Sequence, residues 1–427
     1  MQLMFKKILI SSICLLAALG NEPVCQAEIS TYDGVGEYIM SDFETPDIAK
    51  QRAKARAEQN AVEQAGVYVK SYTRTVNHAL VEDEIVAIAN MIIKIVDVQY
   101  TMTPISEAGG SFQIVAKLRA TVDSDRVDEW LKRDQLKNIE LVEQNKQLQV
   151  DNAKLDKELT TLRKKLASVT NAQEKQTLEK KMVSADNKFL ANQKIEEGCR
   201  LYSDGKYIEA VAMFSQAIGL DENNSIAYYG RGSAYAKQGN FTQAIDDFTK
   251  TIVFKPNDAV VYNNRGYAYS NQGNYMQAIA DYSKAINLNP NLAVAYSNRG
   301  GAYDRQGKYI QAIADYTKAI ALNPNYAAVY NLRGLDYGIQ GNYIQAIADF
   351  TKAIVLNPND AVAYYIRGIA YFNQGNCTQA IDDFKKAISL KPNYAAAYTA
   401  RGMAYNQMGN LSQANADFAK GKELSGK

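Results

Sequence analysis

The chain has 427 residues, with 48 Lys and Arg against 46 Asp and Glu and 47% apolar side chains. That is enough apolar material for real cores, on the order of three domains by length, and charge this balanced excludes the basic footprint of a nucleic-acid-binding protein. One His and four Cys without a CxxC pair leave no multi-histidine metal site, zinc ribbon or thioredoxin-type couple, so no metal, cofactor or catalytic residue is expected. The unusual entry is 29 Tyr beside 12 Phe and a single Trp.

The chain opens on a basic stretch, Lys6-Lys7, and an apolar run from Ile8 to Leu19, followed by Cys25-Gln26-Ala27. A short apolar run behind a basic start and before a small residue predicts an export signal over 1–27, cut near Ala27. It is too short to span a bilayer comfortably; retention as an anchor is the lesser alternative. Removal of the signal leaves Cys199 and Cys377 as the only cysteines.

Residues 28–123 predict a small α+β domain. Gly34-Val-Gly36-Glu-Tyr-Ile-Met reads as a strand. Pro46 then opens a helix carrying Ala49, Ala53, Ala55, Ala57, Ala61 and Ala65, a small close-packing face, with Gly66 as its end. Val67–Thr73, Met91–Met102 and Ser111–Val122 are β-branched runs that predict strands, the last two joined by a turn at Gly109-Gly110. His78 has no acid or Cys motif around it and reads as an ordinary loop or surface histidine. The Gly-x-Gly strand, the alanine helix and Gln64-Ala65-Gly66-Val67-Tyr68-Val69 resemble the N-terminal module of flagellar assembly protein T and related envelope lipoprotein domains. That resemblance covers roughly 90 residues and implies an exported setting, the periplasm or cell envelope of a Gram-negative-type bacterium, and no chemistry.

Residues 124–190 predict long helices. Leu141, Leu148, Leu155, Leu162 and Val169 recur every seven residues, with Asn138, Asn145, Asn152, Leu159 and Leu166 at the companion positions. This is a coiled-coil seam, and asparagine at the companion position favours a parallel dimer. The alternative is an internal helical hairpin, since Leu178, Met182, Ala185 and Phe189 form a second stripe on a helix opened by a capping box at Thr170-Asn-Ala-Gln173.

From 191 to 427 the sequence repeats every 34 residues. Pro256, Pro290, Pro324, Pro358 and Pro392 keep this step, as do the glycines from Gly198 to Gly402 and a second set from Gly205 to Gly409. Aromatic, Ala and Pro positions at these offsets resemble the tetratricopeptide repeat, with seven units: 191–224, 225–258, 259–292, 293–326, 327–360, 361–394 and 395–427. Tyr228, Tyr262, Tyr296, Tyr330, Tyr364 and Tyr398 stand where that family often carries Trp. The fold class expected is therefore mostly α: a C-terminal α-solenoid of helix-turn-helix units, a central coiled coil and a small N-terminal α+β domain. Asn415 and Lys422 stand where earlier units carry Ile, as an outer capping repeat requires. Arg231 and its five successors, with Asp247 and its five, recur in every unit and read as structural ion pairs.

The resemblance implies that the first helix of each unit lines a concave groove holding a protein or peptide. On this chain the groove positions include Tyr229, Asn263, Asn264, Tyr267, Asn298, Arg305, Asn331, Tyr365 and Ile369: amide-rich in the middle, apolar toward the C-terminus. The Lys/Arg set with which chaperone-binding members hold a terminal carboxylate is not reproduced at these offsets. The function expected is an exported, non-enzymatic scaffold that organises a cell-envelope complex, homo-oligomeric through the coiled coil. The alternative is an assembly factor for a surface or flagellar-type structure acting mainly through the N-terminal module.

Overall fold

The structure is a computed structural model that describes residues 29–40, 45–75, 85, 89–90, 92–105, 112–123 and 135–426. The export signal, His78 and the Gly109-Gly110 turn lie outside the described residues, as do the side chains of Asn138, Leu141 and Asn145. The chain divides into two compact units, 1–222 and 223–427.

The first unit begins with a three-stranded antiparallel sheet in the order β1-β3-β2, from β1 (Ile29–Met40), β2 (Lys94–Pro104) and β3 (Phe112–Asp123). Alternation along β3 buries Ile114, Ala116, Leu118, Ala120 and Val122 on one face. Helix α1 (Pro46–Thr75) lies on that face with Ala49, Ala53, Ala57, Ala61 and Ala65 fully buried at four-residue spacing. Contact is closest at Gly34, where a Cβ would sit 2.0 Å from the Ala57 carbonyl oxygen, so the strand admits only glycine there.

Two expectations fail in this domain. Gly66 does not end α1, and Val67–Thr73 is helical, not a strand. Val69 extends the alanine stripe by one more step into the same core, and this packing overrides the β propensity of the run. The strands expected at 91–102 and 111–122 occur at Lys94–Pro104 and Phe112–Asp123.

Two long helices follow, α2 (Gln135–Ser168) and α3 (Ala172–Ser203). Asn171 caps α3, its side chain accepting from the Gln173 and Glu174 amides at 2.9 and 3.1 Å. The cap thus falls one residue after the expected Thr170, on the side chain whose oxygen reaches both amides. Leu155, Leu159, Leu162 and Leu166 of the heptad seam are buried against Leu178, Met182 and Ala185 of α3. These four leucines, which a parallel dimer would present to a second copy, are therefore covered within the chain. The companion-position Asn152 accepts from Asn192 Nδ2 at 2.7 Å and donates to Glu196 at 3.3 Å. Arg52 of α1 pairs with Asp186 of α3 and donates to the Tyr38 hydroxyl at 2.6 Å, which ties the α+β domain to the hairpin. Helix α4 (Tyr207–Leu220) closes the unit by packing on the end of α3, where Gly198 faces the Phe214 ring.

The second unit is a run of twelve helices in six pairs: α5 (Ser225–Lys237) with α6 (Phe241–Phe254), α7 (Ala259–Asn271) with α8 (Tyr275–Leu288), α9 (Ala293–Arg305) with α10 (Tyr309–Leu322), α11 (Ala327–Ile339) with α12 (Tyr343–Leu356), α13 (Ala361–Asn373) with α14 (Cys377–Leu390), and α15 (Ala395–Gln407) with α16 (Leu411–Ser425). Each pair packs on the next, so a core that one pair could not close becomes continuous. The lattice residues act as their chemistry dictates. At Gly334 a Cβ would lie 2.6 Å from Phe350 Cε1, and Gly341, at φ +79°, makes the left-handed turn between α11 and α12. The last pair is an outer cap. Asn415 and Lys422 are exposed there, whereas the equivalents of Lys422 at Ile286, Ile320 and Ile354 are buried.

Every pair also carries one ion pair. Arg231, Arg265, Arg299, Arg333, Arg367 and Arg401 grip Asp247, Asp281, Asp315, Asp349, Asp383 and Asp417 through Nε and Nη2 at 2.7–2.9 Å. Each guanidinium lies over the tyrosine three residues earlier, Arg333 being 5.8 Å from the Tyr330 ring centre. Four of them reach a hydroxyl of the preceding pair as well: Arg265 to Thr249, Arg299 to Ser283, Arg333 to Thr317 and Arg367 to Thr351. The tyrosine surplus is thus largely structural, a packing residue multiplied by repetition.

Candidate partner-binding groove

Successive first helices of the pairs touch one another, α5 with α7, α7 with α9 and onward to α15, so they form the inner face of the solenoid. In its first half this face is a polar ladder. Asn264 donates to the Tyr229 hydroxyl at 2.6 Å, Asn263 donates to Asn264 at 3.2 Å, and Asn298 donates to Asn263 at 3.0 Å. Three repeats are thereby joined through side chains alone.

Repeats 4 and 5 are different. Asp336 of α11 is only 2% exposed and stands where every other pair has alanine: Ala234, Ala268, Ala302, Ala370 and Ala404. Its protonated form hydrogen-bonds to Asp304 of α9, and burial first, then the Asp304 charge, pushes it up to about 7. Beside the two carboxyls lies the Tyr316 phenol of α10, 1% exposed, whose ionisation is opposed by burial and then by Asp336 and Asp304. Tyr282 occupies the same place one repeat earlier and is hydrogen-bonded to Ser270. Tyr316 has no such partner.

Toward the C-terminus the face becomes apolar. Tyr365 packs against Phe384 and Tyr394, with ring centres 6.0 and 5.0 Å apart, and Ile369 joins the same cluster. Leu332, Leu335 and Ile339 of α11 are exposed.

The nine groove residues expected from sequence all fall on the first helices, and they divide by access. Tyr229 and Asn263 are 6% and 5% exposed, so they form the floor of the ladder and offer little contact surface. Tyr267 and Arg305 are exposed, and Asn264, Asn298, Asn331, Tyr365 and Ile369 are half-buried. Asp336 was not among them. Its signal was available in the sequence as the one break in the alanine position across the six repeats from 225 to 427.

A second recess, of about 940 Å³, lies in the first unit between the sheet domain and α3, lined among others by Lys54, Glu58, Glu196 and Arg200. Burial holds the Glu196 carboxyl up to about 7 and the Cys199 thiol up to about 12, so that thiol is no nucleophile at neutral pH. Cys377 is likewise a buried free thiol, packed at the start of α14. Among the described residues no three His, Cys, Asp or Glu side chains converge on a metal-sized site, and no helix is long and apolar enough to cross a membrane.

Stacked helix-turn-helix pairs with a continuous inner face define an α-solenoid, an architecture that presents extended surfaces to other proteins. The chain belongs to the tetratricopeptide repeat family. Models described as "Tetratricopeptide repeat" match residues 259–292, 293–326 and 395–427. One described as "TPR repeat" matches 198–239, 232–273, 334–375 and 368–409. No curated protein matches the chain. Among solved structures, MamA is 30% identical, with a TM-score of 0.37 over 38% of this chain and 94% of its own. YrrB, a TPR protein with an unusual peptide-binding site, is 21% identical, with a TM-score of 0.39 over 44% of this chain and 97% of its own. A tetratricopeptide repeat protein from Parabacteroides merdae is 22% identical, with a TM-score of 0.44 over 55% of this chain and 93% of its own.

Proposed function

We propose that the chain is an exported, non-enzymatic adaptor that binds an extended protein segment along the inner face of its solenoid and so organises a complex of the cell envelope. The observation that carries this is the gradation of that face. An amide ladder able to donate to and accept from a peptide backbone passes into an apolar stretch able to seat side-chain anchors. Export rests on the sequence of residues 1–27 and the envelope setting on the resemblance of the N-terminal module. The parallel dimer expected from the heptads is not needed, because the hairpin already covers Leu155, Leu159, Leu162 and Leu166.

The test uses residues that are exposed and outside the ladder. Tyr267→Ala combined with Arg305→Glu should abolish recovery of the partner by in-cell crosslinking while leaving the helical circular dichroism unchanged. Undiminished recovery would remove the inner face as the binding surface. A second reading, an assembly factor working through the N-terminal module, is favoured by the charged recess beside α3. On that reading Lys54→Glu, and not the groove variant, would displace the protein from its site in the cell.

A further inference from the structure

In a well-satisfied interior, buried polar atoms have partners. Among the described residues of the second unit, the buried side-chain polar atoms without one are Tyr316 Oη, Asn331 Oδ1 and Asp336 Oδ2. All three lie in repeats 4 and 5, and Asp336 and Tyr316 lie against Asp304. The other five pairs of the second unit fill the Asp336 position with alanine, so the fold itself does not need a carboxylate here. Two acids have been brought together at a cost, and among the described residues neither carboxyl makes an ion pair with a Lys or Arg side chain. The Arg305 guanidinium, next to Asp304 on α9, is exposed, and Arg333 and Arg299 are already committed to Asp349 and Asp315.

We propose that the Asp304–Asp336 pair is the receptor for a lysine or arginine side chain of the peptide bound along the inner face. An ammonium or guanidinium supplies several donors and no acceptor, which is what this cluster lacks. It would replace the proton the two carboxyls share, donate to the orphaned Asp336 Oδ2 and lie against the Tyr316 hydroxyl, whose oxygen accepts. Asn331 Oδ1, on the same helix as Asp336, remains to accept from a backbone N–H of the ligand. The exposed Leu332 and Leu335 flank the cluster and can receive the aliphatic stem of the same side chain. The inference presupposes the groove-binding adaptor proposed above and assigns it a ligand class: an extended segment with a basic anchor.

The charged group facing Asp336 is Asp304 from α9, and Tyr316 from α10 lies against both, itself within reach of Asp315 and Arg305. Since Asp336 must be ionised to hold a cation, binding should release a proton near neutrality and tighten as pH rises from 6 to 8.

The test is selection from a displayed library of random peptides on the full chain, with Asp336→Asn and Asp304→Asn as comparison. Both substitutions keep the shape of the side chain, and thermal unfolding would verify that each variant folds. The expected result is enrichment of a Lys or Arg at one fixed position. Replacing that residue in a selected peptide by norleucine or citrulline should weaken binding at least about tenfold for the native chain, and have little effect for the Asn variants. Peptides that bind without basic preference, or that bind the Asn variants equally well, would overturn the basic anchor and leave the adaptor standing. Absence of any groove-dependent peptide would overturn both. Stabilisation of the native chain, and not of the variants, by calcium or magnesium alone, without basic selection, would make the pair a metal site and overturn the proposal.

Discussion

The Arg333 guanidinium holds the Asp349 carboxylate through two parallel hydrogen bonds, Nε to Oδ2 at 2.8 Å and Nη2 to Oδ1 at 2.7 Å, and so clasps the two helices of one repeat. The carboxylate is almost wholly covered, and the same guanidinium reaches back to Thr317 of the repeat before at 2.9 Å. One side chain thus closes its own pair and joins it to the previous one.

Removal of this arginine leaves a buried carboxylate without a counter-charge. Arg333→Ala is expected to cost about 3–5 kcal/mol, and Arg333→Lys to recover only part, since an ammonium cannot form the planar two-bond grip or bridge to Thr317 as well. Because repeat arrays unfold through neighbours, the loss should appear in urea unfolding as an early transition of the middle repeats. Arg401→Ala, in the end repeat, should destabilise less. The residue sixteen before it is Lys385, which has no hydroxyl to receive the bridge.

Asp336 makes stability depend on pH in an unusual direction. Its pKa is raised to about 7 in the folded chain by burial and by Asp304. A carboxyl of the unfolded chain titrates near 4. A group whose folded pKa is raised contributes stability that is complete below the unfolded value and is lost as pH rises through the folded one. The solenoid should therefore be more stable at pH 5 than at pH 8. Asp336→Ala, which restores the lattice alanine, should flatten that dependence and raise stability at pH 8, by about 1–2 kcal/mol after allowance for solvent screening. Glu196, also held up to about 7, lies in the other unit, so the difference between native and variant melting curves isolates Asp336.

How much of this was legible depends on whether the pattern named its own partner. The repeat lattice did. Gly334 must be small because Phe350 packs where its Cβ would be, and a glycine facing a Phe or Tyr recurs at every 34-residue step. The recurring Arg and Asp announced ion pairs, although that each arginine takes the aspartate sixteen residues on follows from how the two helices fold together. The heptads of α2 showed an apolar seam but could not say which helix it faces. A leucine stripe reads the same toward a second copy as toward α3. At Val67–Thr73 local propensity misled, because Val69 is claimed by the core beneath α1. Asp336 was visible as a departure from alanine, yet the groove offsets carried over from the family do not include its position. An exception inside the chain's own repeat pointed more directly to the unusual chemistry than the shared pattern did.

The hairpin gives the last test, because its polar contact lies on the seam that a dimer would use. Asn152 of α2 and Asn192 of α3 are joined by a 2.7 Å hydrogen bond, and Asn192 is buried. Loss of either partner breaks this bond and leaves the other amide one contact short, at about 1–3 kcal/mol, whereas replacing both by alanine restores part of the loss. A double-mutant cycle on Asn152→Ala and Asn192→Ala should thus show a coupling of about 0.5–1.5 kcal/mol. One heptad along the seam toward the hairpin loop, Leu159 is 1% exposed, and Leu159→Ala should cost about 2–5 kcal/mol. If the seam is closed within one chain, neither effect depends on protein concentration and sedimentation gives the mass of a single copy for native and variant alike. A native dimer that Leu159→Ala converts to monomer would place these leucines between chains instead.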